Sequence, residues 1–273
     1  MDELLRDAAR EAERELDGLA GVGPSVVVRS ATIMQAVTAI SSALSGVWMA
    51  MGDLVRAGQA DARAEALKLA FDWDRVLLYS VFEPGKRAAL KNSLVEGARC
   101  NVEAALARVY MSRIPLAEQV YKTAEMTRGW VEHRVTTSIA RGRTVDQLAK
   151  DVRAFINPAT PGGASYAARR LARTEINNAY HAVIVVHNED KPWVNGMKWN
   201  LSGSHPTLDI CDTLARNDQH GLGKGVFPRT AVPRKPHPQC LCYITPRTMS
   251  NDQFVKAWKS GNFRDYVART YEA

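Results

Sequence analysis

Apolar residues recur at three- and four-residue spacing through most of the first 156 positions, which predicts a succession of helices. Leu5, Ala8, Ala9, Ala12, Leu16 and Leu19 share one face over 2–19, and Gly18, Gly21, Gly23 and Pro24 end that helix. Ile33, Val37, Ile40, Leu44, Val47 and Met51 give a second helix, over about 31–57, a heptad-like seam. A third helix over 62–82 carries Leu67, Ala70, Phe71, Leu77 and Val81, and Glu83-Pro84-Gly85 breaks it. A fourth over 86–111 carries Leu90, Leu94, Val102 and Leu106, with Cys100 beside that face as a buried structural thiol. Pro115 marks the next boundary. A fifth helix over 116–140 presents Val120, Ala124, Val131 and Val135 and stops at Gly142. Thr144-x-x-Gln147 is a capping box that opens a short helix over 145–156. Asp146, Gln147, Lys150, Asp151 and Arg153 on that helix mix signs, which favours a docking helix over a DNA-recognition helix.

The period changes at NPATPGGA, residues 157–164, the clearest linker in the chain. Beyond it, Ser165 is expected to cap a helix reaching about Asn188, with Tyr166, Leu171, Ile176, Ala179, Val183 and Val186 inward. Loose alternation over 194–201 predicts a strand, with Asn195-Gly196 as its hairpin turn. A short helix is expected at 212–216, a second strand at Val226 and Phe227 and a third at 240–244. The predicted fold class is therefore α+β, mainly α: a helical N-terminal domain followed by a small α+β module. Its parts are a helical region at 1–115, connecting helices at 116–157, a linker at 158–164, the module at 165–246 and a C-terminal helix at 247–273.

Charge adds a partner class. The chain of 273 residues has a formal net charge of +7, unevenly placed. Residues 2–17 hold seven acids against three arginines, whereas 219–251 hold five cations and no acid. An anionic partner is implied, either nucleic acid or an acidic protein surface. Arg169, Arg170, Arg173, Lys224, Arg229, Arg234 and Lys235 are the candidate nucleic-acid contacts, with Arg247 beside them. The three arginines on the helix have a second reading, in which Arg173 pairs with Glu175, Asp209 or Asp212 and holds the loops. Four cysteines in a chain this long do not make a disulfide scaffold, and no secretory leader is visible, so a reducing compartment is expected. Residues 30–52 carry no charge and could span a bilayer by length, but their Ser, Thr, Gly and Gln content favours a core helix. No membrane partner is expected.

Candidate chemistry gathers in 166–246, which holds three of the four cysteines and five of the six histidines. Cys211, His237, Cys240 and Cys242 are a mixed thiol and imidazole set of the kind that tetrahedral zinc accepts. If 240–244 is a strand, Cys240 and Cys242 share a face. Packed reduced thiols and a disulfide at Cys211 remain the alternatives. His181, His187, His205, His220, Asp209 and Asp212 are raw material for a zinc-dependent nuclease, but no H-E-x-x-H, G-x-S-x-G or phosphate-binding loop is present. A non-enzymatic role is expected.

The segments LARTEINNAYHA, KWNLSGSHPTLDICD, GLGKGVFP and VPRKPHPQCLCYITP, in this order, resemble the phage head morphogenesis family. These are the minor head proteins typified by the F protein of phage Mu. The resemblance is tight over 166–246 and looser from 116, and it rests on Arg173, Glu175, Trp199, His205, Asp209 and Pro238 together with the Cys and His positions. Many relatives have C-R-C where this chain has Cys240-Leu241-Cys242, so one basic residue of the motif is missing. The resemblance implies a low-copy virion protein that binds the portal protein inside the capsid and assists head assembly, DNA packaging or ejection. It implies location in the host cytoplasm during assembly. The alternatives are an internal DNA-binding or ejected protein without a stable portal contact, and then the nuclease.

Overall fold

The computed structural model describes residues 30–81, 163–205 and 208–271, with separate helical positions at 3–14, 122–137 and 151–154. The expected helix over 86–111 with Cys100, the boundary at Pro115, the capping box at Thr144 and most of the linker lie outside the described residues. No described helix is long and apolar enough to cross a membrane.

The first continuous element is α1, Ser30–Val81, a single helix of 52 residues. The sequence suggested two helices here, separated at 58–61. The four residues Gly58, Gln59, Ala60 and Asp61 contain no proline, and a lone glycine costs a helix only about 1 kcal/mol against alanine. The buried positions Trp48, Gly52, Val55, Gln59, Ala66 and Ala70 keep one heptad phase across Gly58. Gly58 also lies where a Cβ would come 2.7 Å from Ile176 Cδ1, so its bareness admits that side chain.

The next helix, α2, runs Ala164–Glu189, so Ser165 lies inside it and does not cap it. Then come β1 (Val194–Asn200), α3 (Ile210–Arg216), β2 (Val226–Phe227), β3 (Tyr243–Thr248), α4 (Asn251–Lys259) and α5 (Arg264–Tyr271). The mainly α, α+β class is the one observed. Two corrections concern strands. Asn195 and Gly196 form no hairpin turn; they lie within β1, where the pairing with β3 shifts between Val194 and Gly196. The third strand starts at Tyr243, so Cys240 and Cys242 precede it. The C-terminal segment holds two helices, not one.

The chain divides into two compact units, Met1–Ala57 with Ile114–Arg173, and Gly58–Arg113 with Thr174–Ala273. These bounds differ from those read in the sequence: the second half of α1 belongs with the C-terminal module. In the first unit Trp48, Met51, Val55, Ala168 and Ala172 are buried. In the second, an antiparallel sheet of order β2-β1-β3 carries the core. Met197 and Trp199 of β1 and Ile244 of β3 join Ala66, Ala70, Val183, Ile184, Cys211 and Phe254 in one apolar cluster. Trp193 anchors the C-terminal helices, with its ring centroid 5.8 Å from Phe254, 5.7 Å from Phe263 and 5.0 Å from Tyr266. Such edge-on aromatic packing adds to simple burial.

The inner face of α2 differs from expectation. Ala168, Ala172, Glu175, Asn178, Ala179, His181, Val183, Ile184 and His187 are buried, while Tyr166, Leu171, Ile176 and Val186 are half-buried. Polar groups enter the core because each finds a partner. Gln59 and Asn178 donate to Glu175 at 3.3 and 3.4 Å. His181 Nε2 lies 3.0 Å from the Pro233 carbonyl. Asp74 of α1 receives Lys191 Nζ at 2.5 Å and lies 3.0 Å from His187 Nε2.

Candidate metal centre

Three short stretches of the second unit build the centre. Asp209 ends the loop after β1 and caps α3: its carboxylate accepts from Cys211 N at 2.6 Å, and Asp212 accepts from Asp209 N at 3.0 Å. This reciprocal capping box fixes the first turn and turns the Cys211 side chain into the core. The second stretch is the turn His237-Pro238-Gln239-Cys240. Cys240 N reaches back to the His237 carbonyl at 3.4 Å, and Gln239 adopts φ 59°. A non-glycine residue in this left-handed region is strained. Thr174 Oγ1 takes the Gln239 N–H at 3.0 Å and holds the turn in place. The third stretch is Leu241-Cys242, leading into β3, where Tyr243 pairs with Asn200.

Gly225 keeps α3 and β1 in register with one another. It has φ +71°, its N–H bonds to Asn217 O, and its carbonyl accepts from Trp199 N. A Cβ there would meet Ala215 O at 2.6 Å, so only glycine fits this crossing.

Cys211 stands at the middle of the cluster. Its Sγ lies 3.3 Å from His237 Nε2 and 3.5 Å from Cys240 Sγ. Cys242 Sγ lies 3.8 Å from His205 Nδ1, and His205 Nε2 lies 2.8 Å from Asp212. All three cysteines are free thiols and are buried. Of the four expected ligands Cys211, His237, Cys240 and Cys242, the first three bring their ligand atoms within 4.8 Å of one another, whereas Cys242 lies toward His205 and outside that group.

Electrostatics describe the metal-free state. Burial pushes the Cys211 thiol far up, and the neighbouring Cys240 and Cys242 push it further. Burial also raises Cys240, against the pull of Cys211 and Lys235. A thiol raised in this way is a weak nucleophile. Asp212 is held below the ordinary carboxylate range by the His205 imidazole first and the Asp209 N–H second. A second group of possible ligands, His205, Asp209 and Asp212, adjoins the first. Its carboxylates are already engaged as the cap of α3, by Arg216 at 3.0 Å and by His237 at 3.1 Å, which makes it the surround of the sulfur cluster.

The candidate nucleic-acid residues are placed less uniformly than the sequence suggested. Arg229 donates to the carbonyls of Lys191 and Val194, Arg247 to that of Leu222, and Lys235 to those of Cys240 and Cys242. These three cations brace the backbone. Arg169, Arg170 and Arg173 lie on the first half of α2, with Arg170 and Arg173 exposed, and Lys224 and Arg234 are exposed on the loops. Asp209 and Asp212 are engaged by His205, His237, Arg216 and the cap of α3. Sequence reasoning missed the parts played by Lys235 and Asp212; the Asp209-x-x-Asp212 spacing around Cys211 was the available signal for the latter. Comparison with known families, curated proteins and solved structures finds no match.

Proposed function

We propose that the chain is a minor head protein of a tailed bacteriophage, bound to the portal inside the head and assisting assembly, DNA packaging or ejection. One observation supports this reading above the others. The motif segments that resemble the head morphogenesis family are scattered over residues 166–246, yet they supply α2, β1, the cap of α3, β2 and the turn before β3 of one closed module. The thiols at its centre are buried, which suits a rigid recognition module better than a nuclease. The engagement of half-buried Arg229 and Lys235 with backbone carbonyls also favours a protein partner over DNA as the primary contact.

The same reading includes a structural zinc held by Cys211, Cys240, Cys242 and His237. Zinc–sulfur bonds of about 2.3 Å at tetrahedral angles put two sulfurs roughly 3.8 Å apart, and a sulfur and a nitrogen roughly 3.6 Å apart. The observed separations of 3.5 and 3.3 Å are close to these. A bound zinc would supply no reaction; it would tie the long loop between β1 and β3 into one piece, while the chain's own caps and turn orient the ligands.

Co-sedimentation with rings of the cognate portal protein tests the function. Association at micromolar protein and moderate salt is the expected result. Absence of association under those conditions removes the portal reading and leaves the internal DNA-binding alternative.

A further inference from the structure

Lys235 stands apart from the other cations of the module. Its stem is partly buried, and its ammonium donates to the backbone carbonyls of Cys240, at 3.3 Å, and of Cys242. Its ammonium loses hydration on burial, and no carboxylate among the described residues pairs with it. The acids of the metal-site loop, Asp209 and Asp212, are occupied by His237, His205 and Arg216. An ammonium withdrawn from water needs an opposite charge nearby.

A zinc ion with three thiolates and a neutral imidazole carries one net negative charge. We propose that Lys235 is the counter-ion of such a centre and selects three thiolates over two; this rests on the zinc reading above. The cation sits on the carbonyls of the two ligand residues themselves, so it is fixed within the centre's outer surround, where partners commonly tune metal affinity. It is thereby withdrawn from any phosphate contact. A centre with two thiolates and two imidazoles would be neutral and would leave the ammonium without a partner charge.

The test measures zinc affinity of the full chain by competition with a chromophoric chelator. The variants are Lys235→Met, Lys235→Arg, Cys242→His and the Lys235→Met/Cys242→His pair. Lys235→Met is expected to loosen zinc by about 10–100-fold, and Lys235→Arg to restore most of it. In the Cys242→His background, where the centre is neutral, the penalty of Lys235→Met should largely vanish. An equal penalty in both backgrounds would show that only the carbonyl hydrogen bonds matter and would overturn the proposal, as would no penalty in either. If Lys235→Met does not fold, Lys235→Arg decides alone: it keeps the charge and displaces the hydrogen bonds, so near-native affinity supports the proposal and a loss of about tenfold overturns it. A native chain that binds no zinc at all fails at the earlier step, and the zinc reading falls with it.

Discussion

Cys240 shows how far single residues could be read. That Cys211, His237 and Cys240 belong together was legible from ligand type and from the tight H-x-x-C spacing. The means was not. Their convergence depends on the positive φ of Gln239 and on the Thr174 hydroxyl that receives its N–H, and neither leaves a mark in the pattern of residue types. The part played by Lys235 was hidden for a similar reason: a lysine in a basic stretch reads as a solvated charge until its carbonyl partners are known. Cys240→Ser removes one ligand and leaves a hydroxyl in a site shaped for sulfur. Protein purified without chelator should contain about one zinc per chain, and the variant well under one, by elemental analysis. The variant should also melt the sheet and its loop before the helical region, seen as loss of Trp199 and Trp193 fluorescence ahead of the loss of far-ultraviolet helical signal. Equal metal content in both proteins would leave only packed thiols.

At the scale of elements, periodicity identified helical character correctly along α1 and misplaced its ends. The apolar count falls over 58–61, which reads as an interruption, but Gln59 is buried there because Glu175 accepts its amide hydrogen bond. On α2 the period pointed to the large apolar residues, whereas close approach selects alanines and paired polar groups. The Asp74, His187 and Lys191 group between these helices carries a pH signature. Burial pushes His187 below its ordinary 6.5 and Lys191 below its ordinary 10.5. Burial pushes Asp74 up, but Lys191 and His187 outweigh it and leave Asp74 below its ordinary 3.8. In each case the unfolded chain binds the proton more readily than the folded one, so stability rises with pH. The histidine contribution is whole above 6.5 and is lost as the pH falls from there toward the folded value. Denaturant unfolding should therefore show lower stability at about pH 5.5 than at about pH 7.5, and His187→Gln should make that slope shallower. Asp74→Asn leaves a buried ammonium unpaired and should cost about 3 kcal/mol at neutral pH. An unchanged slope in His187→Gln would assign the acid sensitivity to other groups.

For the whole molecule, the fold class and the position of the module were legible, because a mainly helical pattern followed by short strands and turn residues leaves few arrangements open. The unit boundary was not, since nothing local marks where a continuous helix passes from one compact unit to another. Net charge was legible as a number but not as a surface, because Arg229, Lys235 and Arg247 spend donors on backbone carbonyls. This separates two classes of substitution in DNA binding. Lys224→Ala and Arg234→Ala should each lower the slope of log affinity against log salt by about one unit or slightly less and leave the melting temperature alone. Arg229→Ala should destabilise the module, because two carbonyls lose their donor. Equal salt slopes in all these variants would place any DNA contact elsewhere on the chain. The pairing of Asp74 with Lys191 has one more consequence, and it concerns time. The two residues are 117 positions apart. At about 5–20 residues per second, a ribosome delivers the second roughly 6 to 23 s after the first. During that interval Ala66, Ala70 and Asp74 have emerged and the strands and helix that cover them have not. The nascent helix must be shielded by its own neighbours or by a chaperone while it waits.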